Sequence, residues 1–221
     1  MPHRERSPQE VIRADTLDAA LEVGRNCPYG NGASIFTRDG DTARDFTARV
    51  NVGMARLRRL RAIGIPTHLW VRGNNRQAIF ITEGDRVFFH RCLVEVTRRF
   101  GLAVHAYVFM TNHIHVLGTA SAADSFSKAV QSMGRRYVAY FNYLHERTGT
   151  LWEGRFCSCP VETERYFLIC HRYVELNPIR AGMVDDPGSF RWSSYRSNAF
   201  GQADDLVTPH SLYRELGRDD A

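Results

Sequence analysis

The sequence predicts an α+β fold, an antiparallel sheet with helices on one face. Three observations carry this reading. Short apolar segments of strand length occur at residues 67–72, 103–110, 113–119 and around Cys157 and Cys159. Two longer stretches, 85–100 and 125–147, repeat apolar residues at intervals of three and four. Their order is strand, helix, strand, strand, helix, strand, followed by one more helix at 163–176. That is a ferredoxin-like βαββαβ unit with a C-terminal helix added.

Residues 67–72 form the first strand and run into Gly73-Asn74-Asn75-Arg76-Gln77. Arg72, Asn74, Asn75 and Arg76 make this loop rich in donors that can touch phosphates or bases, although an ordinary turn has the same composition. In the helix 85–100, Val87, Phe88, Cys92, Leu93 and Val96 fall near helical spacing, with Arg91, Arg98 and Arg99 outside. Gly101 stops it.

The second and third strands meet at the polar pair Thr111-Asn112, and the third opens with His113-Ile114-His115. Side chains alternate faces along a strand, so His113 and His115 point one way and Ile114 the other. Two imidazoles so placed can share one divalent metal. Any two histidines two apart on a strand share a face, so the spacing alone does not separate a metal pair from an ordinary strand.

In the helix 125–147, Phe126, Val130, Met133, Tyr137, Tyr140, Phe141 and Leu144 form the core stripe. Arg135 and Arg136 could reach a backbone phosphate; a solvated face is the simpler reading. Gly149 ends the stretch. Leu151-Trp152-Glu153-Gly154-Arg155-Phe156 leads into the fourth strand. Trp152 and Arg155 could clamp a base between them, or pack plainly at a junction.

The last helix, 163–176, has Thr163 as N-cap and is closed by Pro178. Tyr166, Cys170, Tyr173 and Asn177 follow at steps of four, three and four, on one face. A C-terminal wrap with Trp192-Ser193-Ser194-Tyr195 comes next. Residues 201–221 read as an acidic tail with a short helix near 210–216.

Residues 1–53 lack sustained periodicity and read as a disordered or accessory N-terminal extension, or an over-long start ahead of Met54. The compact domain is then 54–200. No stretch approaches the ~20 apolar residues of a membrane span, and no apolar core follows Met1-Pro2-His3-Arg4, so a cytoplasmic location is expected. The five cysteines lack C-x-x-C pairing and read as free thiols. Cys157-Ser158-Cys159 could bind a soft metal, but packed thiols explain it as well.

Net charge is +5 and uneven: residues 54–200 hold 20 Arg plus Lys against 11 acidic residues, while 201–221 hold 2 against 5. A basic middle suggests a polyanionic partner, nucleic acid first. A solvated charged surface is the alternative.

Taken together, these segments resemble a known family. His113-Ile114-His115 is similar to the His-hydrophobic-His motif of the HUH single-strand endonucleases. Arg72–Arg76, Leu151–Phe156, Tyr173-Val174-Glu175-Leu176-Asn177-Pro178-Ile179-Arg180-Ala181-Gly182 and Trp192–Tyr195 occur in the order found in REP-associated tyrosine transposases. The resemblance covers about 54–195. It implies that His113 and His115 bind Mg²⁺ or Mn²⁺ and that Tyr173 is the nucleophile. Asn177 then completes the metal site, with Tyr166 the competing tyrosine. It further implies a single-stranded DNA substrate with REP-type hairpins, held by Arg72, Asn74, Asn75, Arg76, Arg135, Arg136, Trp152, Arg155 and Arg180. The protein would work as a monomer or homodimer, near the nucleoid. Thr111 departs from the proline usual in that family. The contrasting expectation is a DNA- or RNA-hairpin-binding protein of the same fold without catalysis, because this fold hosts many binders.

Overall fold

A computed structural model describes residues 63–161 and 163–216, together with Thr16 and Asp18. The chain divides into two units, 1–59 and 60–221. The expectations for the N-terminal extension lie outside the described residues, and the strands and helices below all belong to the second unit.

Its strands are β1 (Pro66–Arg72), β2 (Leu102–Phe109), β3 (His113–Ala120) and β4 (Cys157–Pro160), in the spatial order β2-β3-β1-β4. All three neighbouring pairs are antiparallel. Helix α1 (Glu83–Phe100) connects β1 to β2, and α2 (Ser125–Leu144) connects β3 to β4. The predicted ferredoxin-like α+β arrangement is the one observed.

Alternation along the strands builds two separate cores. Val71, Val104, Tyr107, Phe109, Ile114 and Val116 face α1 and α2, against Phe89, Met133, Tyr137 and Phe141. Ala106, Val108 and Leu117 point the other way, against Phe167, Cys170 and Val174 of α3 (Glu164–Glu175). Thus α1 and α2 share one face, and α3 covers the other with Val184, Phe190 and Leu212 packed beside it. Thr163 caps α3, its side chain accepting from the Tyr166 N–H.

Helix ends differ from the sequence reading for local reasons. A capping box at Thr82 and Asp85 starts α1 two residues earlier than predicted, at Glu83. Gly101 ends it in the left-handed conformation, at φ 64°. Val87, expected in the core, is 40% exposed; the buried stripe runs through Phe89, Cys92, Leu93 and Val96 instead. Helix α2 stops at Leu144 rather than Arg147. There His145 leaves the helical path to meet the fully buried carboxylate of Asp85 at 3.0 Å, pinning the end of α2 to the start of α1.

The C-terminal wrap is sheet-edge structure. Trp192 to Ser194 run beside β2, with Phe109 N–H donating to Trp192 C=O at 2.9 Å and Ser194 N–H to Tyr107 C=O at 3.0 Å. Beyond α4 (Asn177–Arg180) and α5 (Tyr195–Phe200), the first part of the acidic segment packs closely too. Tyr107 OH donates to Asp204 at 2.7 Å, and Leu206 is buried ahead of α6 (Ser211–Glu215).

Candidate active site

The register of β1 against β3 sets Trp70 opposite His115 and Arg72 opposite His113. His68, Trp70, Arg72, His113 and His115 therefore share the face that α3 covers. On β4, Cys159 pairs with His68 and Cys157 with Trp70. Helix α3 carries Tyr173 over the same spot. The Tyr173 ring meets His115 edge-on at 5.5 Å between centroids and His68 at 6.1 Å.

The spacing sets Asn177 one turn beyond Tyr173 on the same face, just past the predicted helix end at 176. Helix α3 closes at Leu176, and Asn177 opens α4 with Pro178 behind it. Proline fits a first helical turn, where its missing N–H is not needed. The break still brings the amide to the site: Asn177 is 8% exposed, and its side chain stands beside His113.

Each motif histidine has its Nδ1 engaged. His113 Nδ1 lies 2.7 Å from Asn112 Oδ1. The Asn112 amide is oriented by its own Nδ2, which donates to Arg76 C=O at 3.2 Å, so Oδ1 faces the ring and His113 Nδ1 is the donor. His115 Nδ1 lies 2.9 Å from Nε2 of His68, whose ring stacks on it at 5.0 Å. Burial holds His68 down to about 4 and His115 to about 3. His113 is lowered too, by burial first, with the Asn177 side chain opposing and Arg72 adding to the shift. All three are thus neutral near pH 7, the form that ligates a metal.

Among the described residues no group of three His, Cys, Asp or Glu is placed to hold a metal. The groups on this face that could serve as donors are the imidazoles of His113 and His115 and the Asn177 amide. A mixed nitrogen and oxygen set of this kind fits a divalent ion such as Mn²⁺, and Mg²⁺ with more of its ligands supplied by water or phosphate.

Three loops converge where β1 ends at this site. Gly73 N–H donates to Asn112 C=O at 2.8 Å, Asn74 N–H to Leu151 C=O at 2.8 Å, and Glu153 N–H to Arg72 C=O at 2.9 Å. Gly73 is required there, because a Cβ would sit 2.3 Å from Gln77 C=O. The Thr111 C=O accepts from Ile79 N–H at 2.9 Å, so the turn ahead of His113 is anchored without proline.

The predicted DNA-contacting residues divide into two groups. Arg72, Asn74, Asn75, Arg76 and Arg155 are exposed around the end of β1, where Arg72 also pairs with Glu153. Arg180 lies 5.2 Å over the Tyr173 ring. Arg135 and Arg136 sit on α2, on the opposite side of the sheet, and Arg136 pairs with Glu95 of α1 at 2.6 Å. Trp152 is half-buried against Tyr137, at 6.1 Å between ring centroids, and belongs to the α2 side.

Sequence reasoning missed the supports behind α3. Glu175 is 5% exposed, and its Oε1 accepts from Ser194 Oγ at 2.7 Å and Asn198 Nδ2 at 2.7 Å. Burial raises its pKa while those two donors lower it. His171, one turn earlier, stacks on Tyr213 at 4.6 Å. Residues 173–182 and 192–195 are separate motifs in the sequence, and the fold joins them through Glu175 and Ser194. A histidine and a glutamate one turn apart, His171 and Glu175, on the helix that carries Tyr173, were the available signal.

Comparison with known proteins bears on the family and the fold. A family model described as Transposase IS200 like matches residues 63–177. A solved structure, that of a REP-associated tyrosine transposase bound to a REP hairpin, has the same fold. It is 21% identical, with a TM-score of 0.56, covering 72% of this chain and 96% of that one. A different similarity is short. Malonate-semialdehyde dehydrogenase 2 of Geobacillus kaustophilus is 46% identical over 44 residues, 20% of this chain and 9% of that enzyme. The human methylmalonate-semialdehyde/malonate-semialdehyde dehydrogenase is 49% identical over 43 residues, 20% of this chain and 8% of the enzyme. The chain thus spans under a tenth of the length of these curated relatives.

Proposed function

This chain belongs to the IS200-like transposase family, and we propose that it is a metal-dependent single-stranded DNA endonuclease and strand transferase acting at palindromic hairpins. The observation that carries the proposal is the meeting, within one chain, of Tyr173 with the neutral pair His113 and His115 and with Asn177.

In this reading the phenolic oxygen of Tyr173 attacks the phosphorus of the scissile phosphodiester in line. A tyrosine–phosphorus bond forms as the bond from phosphorus to the 3′ oxygen breaks. The phenol loses its proton and the departing 3′ oxygen gains one. The product is a 5′-phosphotyrosine and a free 3′-OH, and the step can run backwards to rejoin strands. His113, His115 and Asn177 would hold Mg²⁺ or Mn²⁺, which supplies charge stabilisation at the phosphate oxygens. Arg72 and Arg180, flanking the site, would bind the adjoining backbone, and the 73–77 loop would meet unpaired bases. Cytoplasmic, nucleoid-associated work fits such a substrate.

The test is a denaturing gel with labelled single-stranded palindrome DNA from beside the gene, in Mn²⁺ or Mg²⁺. A protein–DNA adduct is expected with the wild type and should vanish with EDTA, Tyr173→Phe or His113→Ala. If Tyr173→Phe still forms the adduct, the nucleophile is elsewhere, with Tyr166 next. Hairpin binding without cleavage on any flanking sequence would replace this reading with that of a binding module.

A further inference from the structure

His68 lies outside the His113–Ile114–His115 motif, on the neighbouring strand, yet it makes the closest polar contact that His115 has. The two nitrogens are 2.9 Å apart and the rings stack at 22° between planes. His68 is held in place from both sides, by Trp70 at 5.2 Å and by the Tyr173 ring edge at 6.1 Å.

A hydrogen bond between two neutral imidazoles needs one donor and one acceptor. If His68 Nε2 donated, His115 would carry its own proton on Nε2, the nitrogen turned away from His68, and could not ligate through it. If His115 Nδ1 donates, its Nε2 lone pair is free. The neighbouring histidine already has the second arrangement, since His113 Nδ1 donates to the oriented Asn112 carbonyl. A metal shared through Nε2 of both rings needs both as this tautomer.

We propose that His68 is a positioning residue: its Nε2 accepts the Nδ1 proton of His115, holding that ring as the tautomer whose Nε2 faces the metal position. This rests on the metal-dependent reading of the site. Asn112 does the same for His113, so each metal histidine is oriented by one partner at Nδ1. Outer partners of this kind typically govern metal affinity by about 10–100-fold.

The test uses ¹⁵N-histidine-labelled full chain and Mn²⁺. In the metal-free wild type, long-range ¹H–¹⁵N spectra should show His115 protonated on Nδ1, and in His68→Phe that preference should be lost. Mn²⁺ affinity should fall about 10–100-fold in His68→Phe. It should recover to within a few-fold in His68→Gln, whose Oε1 can accept the same proton. Electron spin-echo spectra of bound Mn²⁺ should count two coordinated imidazoles in both the wild type and His68→Gln. Three imidazoles would make His68 a ligand and overturn the proposal. So would a wild-type His115 protonated on Nε2, or wild-type affinity in His68→Phe with an unchanged melting curve. If the wild type itself binds no Mn²⁺, the metal-dependent reading fails and this inference falls with it, a result distinct from the other three.

Discussion

The two faces of the sheet use the same four strands for opposite purposes. Toward α1 and α2, the buried residues are almost all apolar, and aromatic rings meet edge to face. Phe89 touches Phe80, Phe109 and Tyr137 at 4.9–5.2 Å between centroids. Toward α3, the strands bury His105 and His115 beside a small apolar core, and α3 adds His171 and Glu175. Buried polar groups cost stability unless each finds a partner. The first face can therefore supply most of the folding energy, and the second accepts a weaker core in return for placed chemistry.

Four measurements would sharpen or break that contrast. The largest expected loss is from Phe89→Ala, which removes a fully buried ring from the apolar face and should cost about 3–5 kcal/mol by urea unfolding. At low temperature the folded variant should keep its adduct-forming activity. Strong loss of activity without loss of stability would mean that the faces are not separate in function.

Acid should act on the other face. Burial lowers both His105 and His171 to about 4. In the unfolded chain they titrate near 6.5, so between those values the unfolded state binds more protons. Stability is then fully present above pH 6.5 and declines as pH falls toward 4. Glu175, with its pKa raised by burial, works in the opposite sense and offsets part of this. Urea midpoints should drop across that window, and less so in His171→Gln. A flat profile would show that the α3 face is wetter than its burial implies.

Ser194→Ala should cost about 1–3 kcal/mol, because it leaves Glu175 and the Tyr107 N–H each short of a partner. Unlike Phe89→Ala, it should also reduce adduct formation at a temperature where the protein is folded, since Glu175 lies two residues from Tyr173. Activity that tracks stability alone would remove that link.

The smallest stability change is expected from Arg72→Ala, whose exposed pair with Glu153 should contribute under about 1 kcal/mol. Its effect should appear in binding. The affinity for single-stranded DNA should fall, and the slope of log affinity against log salt should shrink by about 0.7. An unchanged slope would place Arg72 off the phosphate path.

The fold was legible because its signals are local. Strand alternation, helix periodicity, Thr163 and Gly101 act within a few residues, and the order of elements then allows few topologies. The pairing of His113 with His115 on one face was legible for the same reason. What the sequence could not convey was distance across the sheet. Which residue stands beside His115 depends on the register of β1 against β3, so His68 passed unnoticed. The end of α2 depends on Asp85, 60 residues away in sequence, recruiting His145. The short helix that Asn177 opens was hidden behind a helical spacing that the amide satisfies from that second helix. Trp152, Arg135 and Arg136 looked alike to Arg72 and Arg155 in sequence, and only the packing of α2 sorted them to the far side. The sequence by itself determined the elements, their order and the chemical groups available, because those follow from backbone propensity and side-chain period. The tertiary structure alone decided which groups meet, because that depends on register and on partners found across the fold.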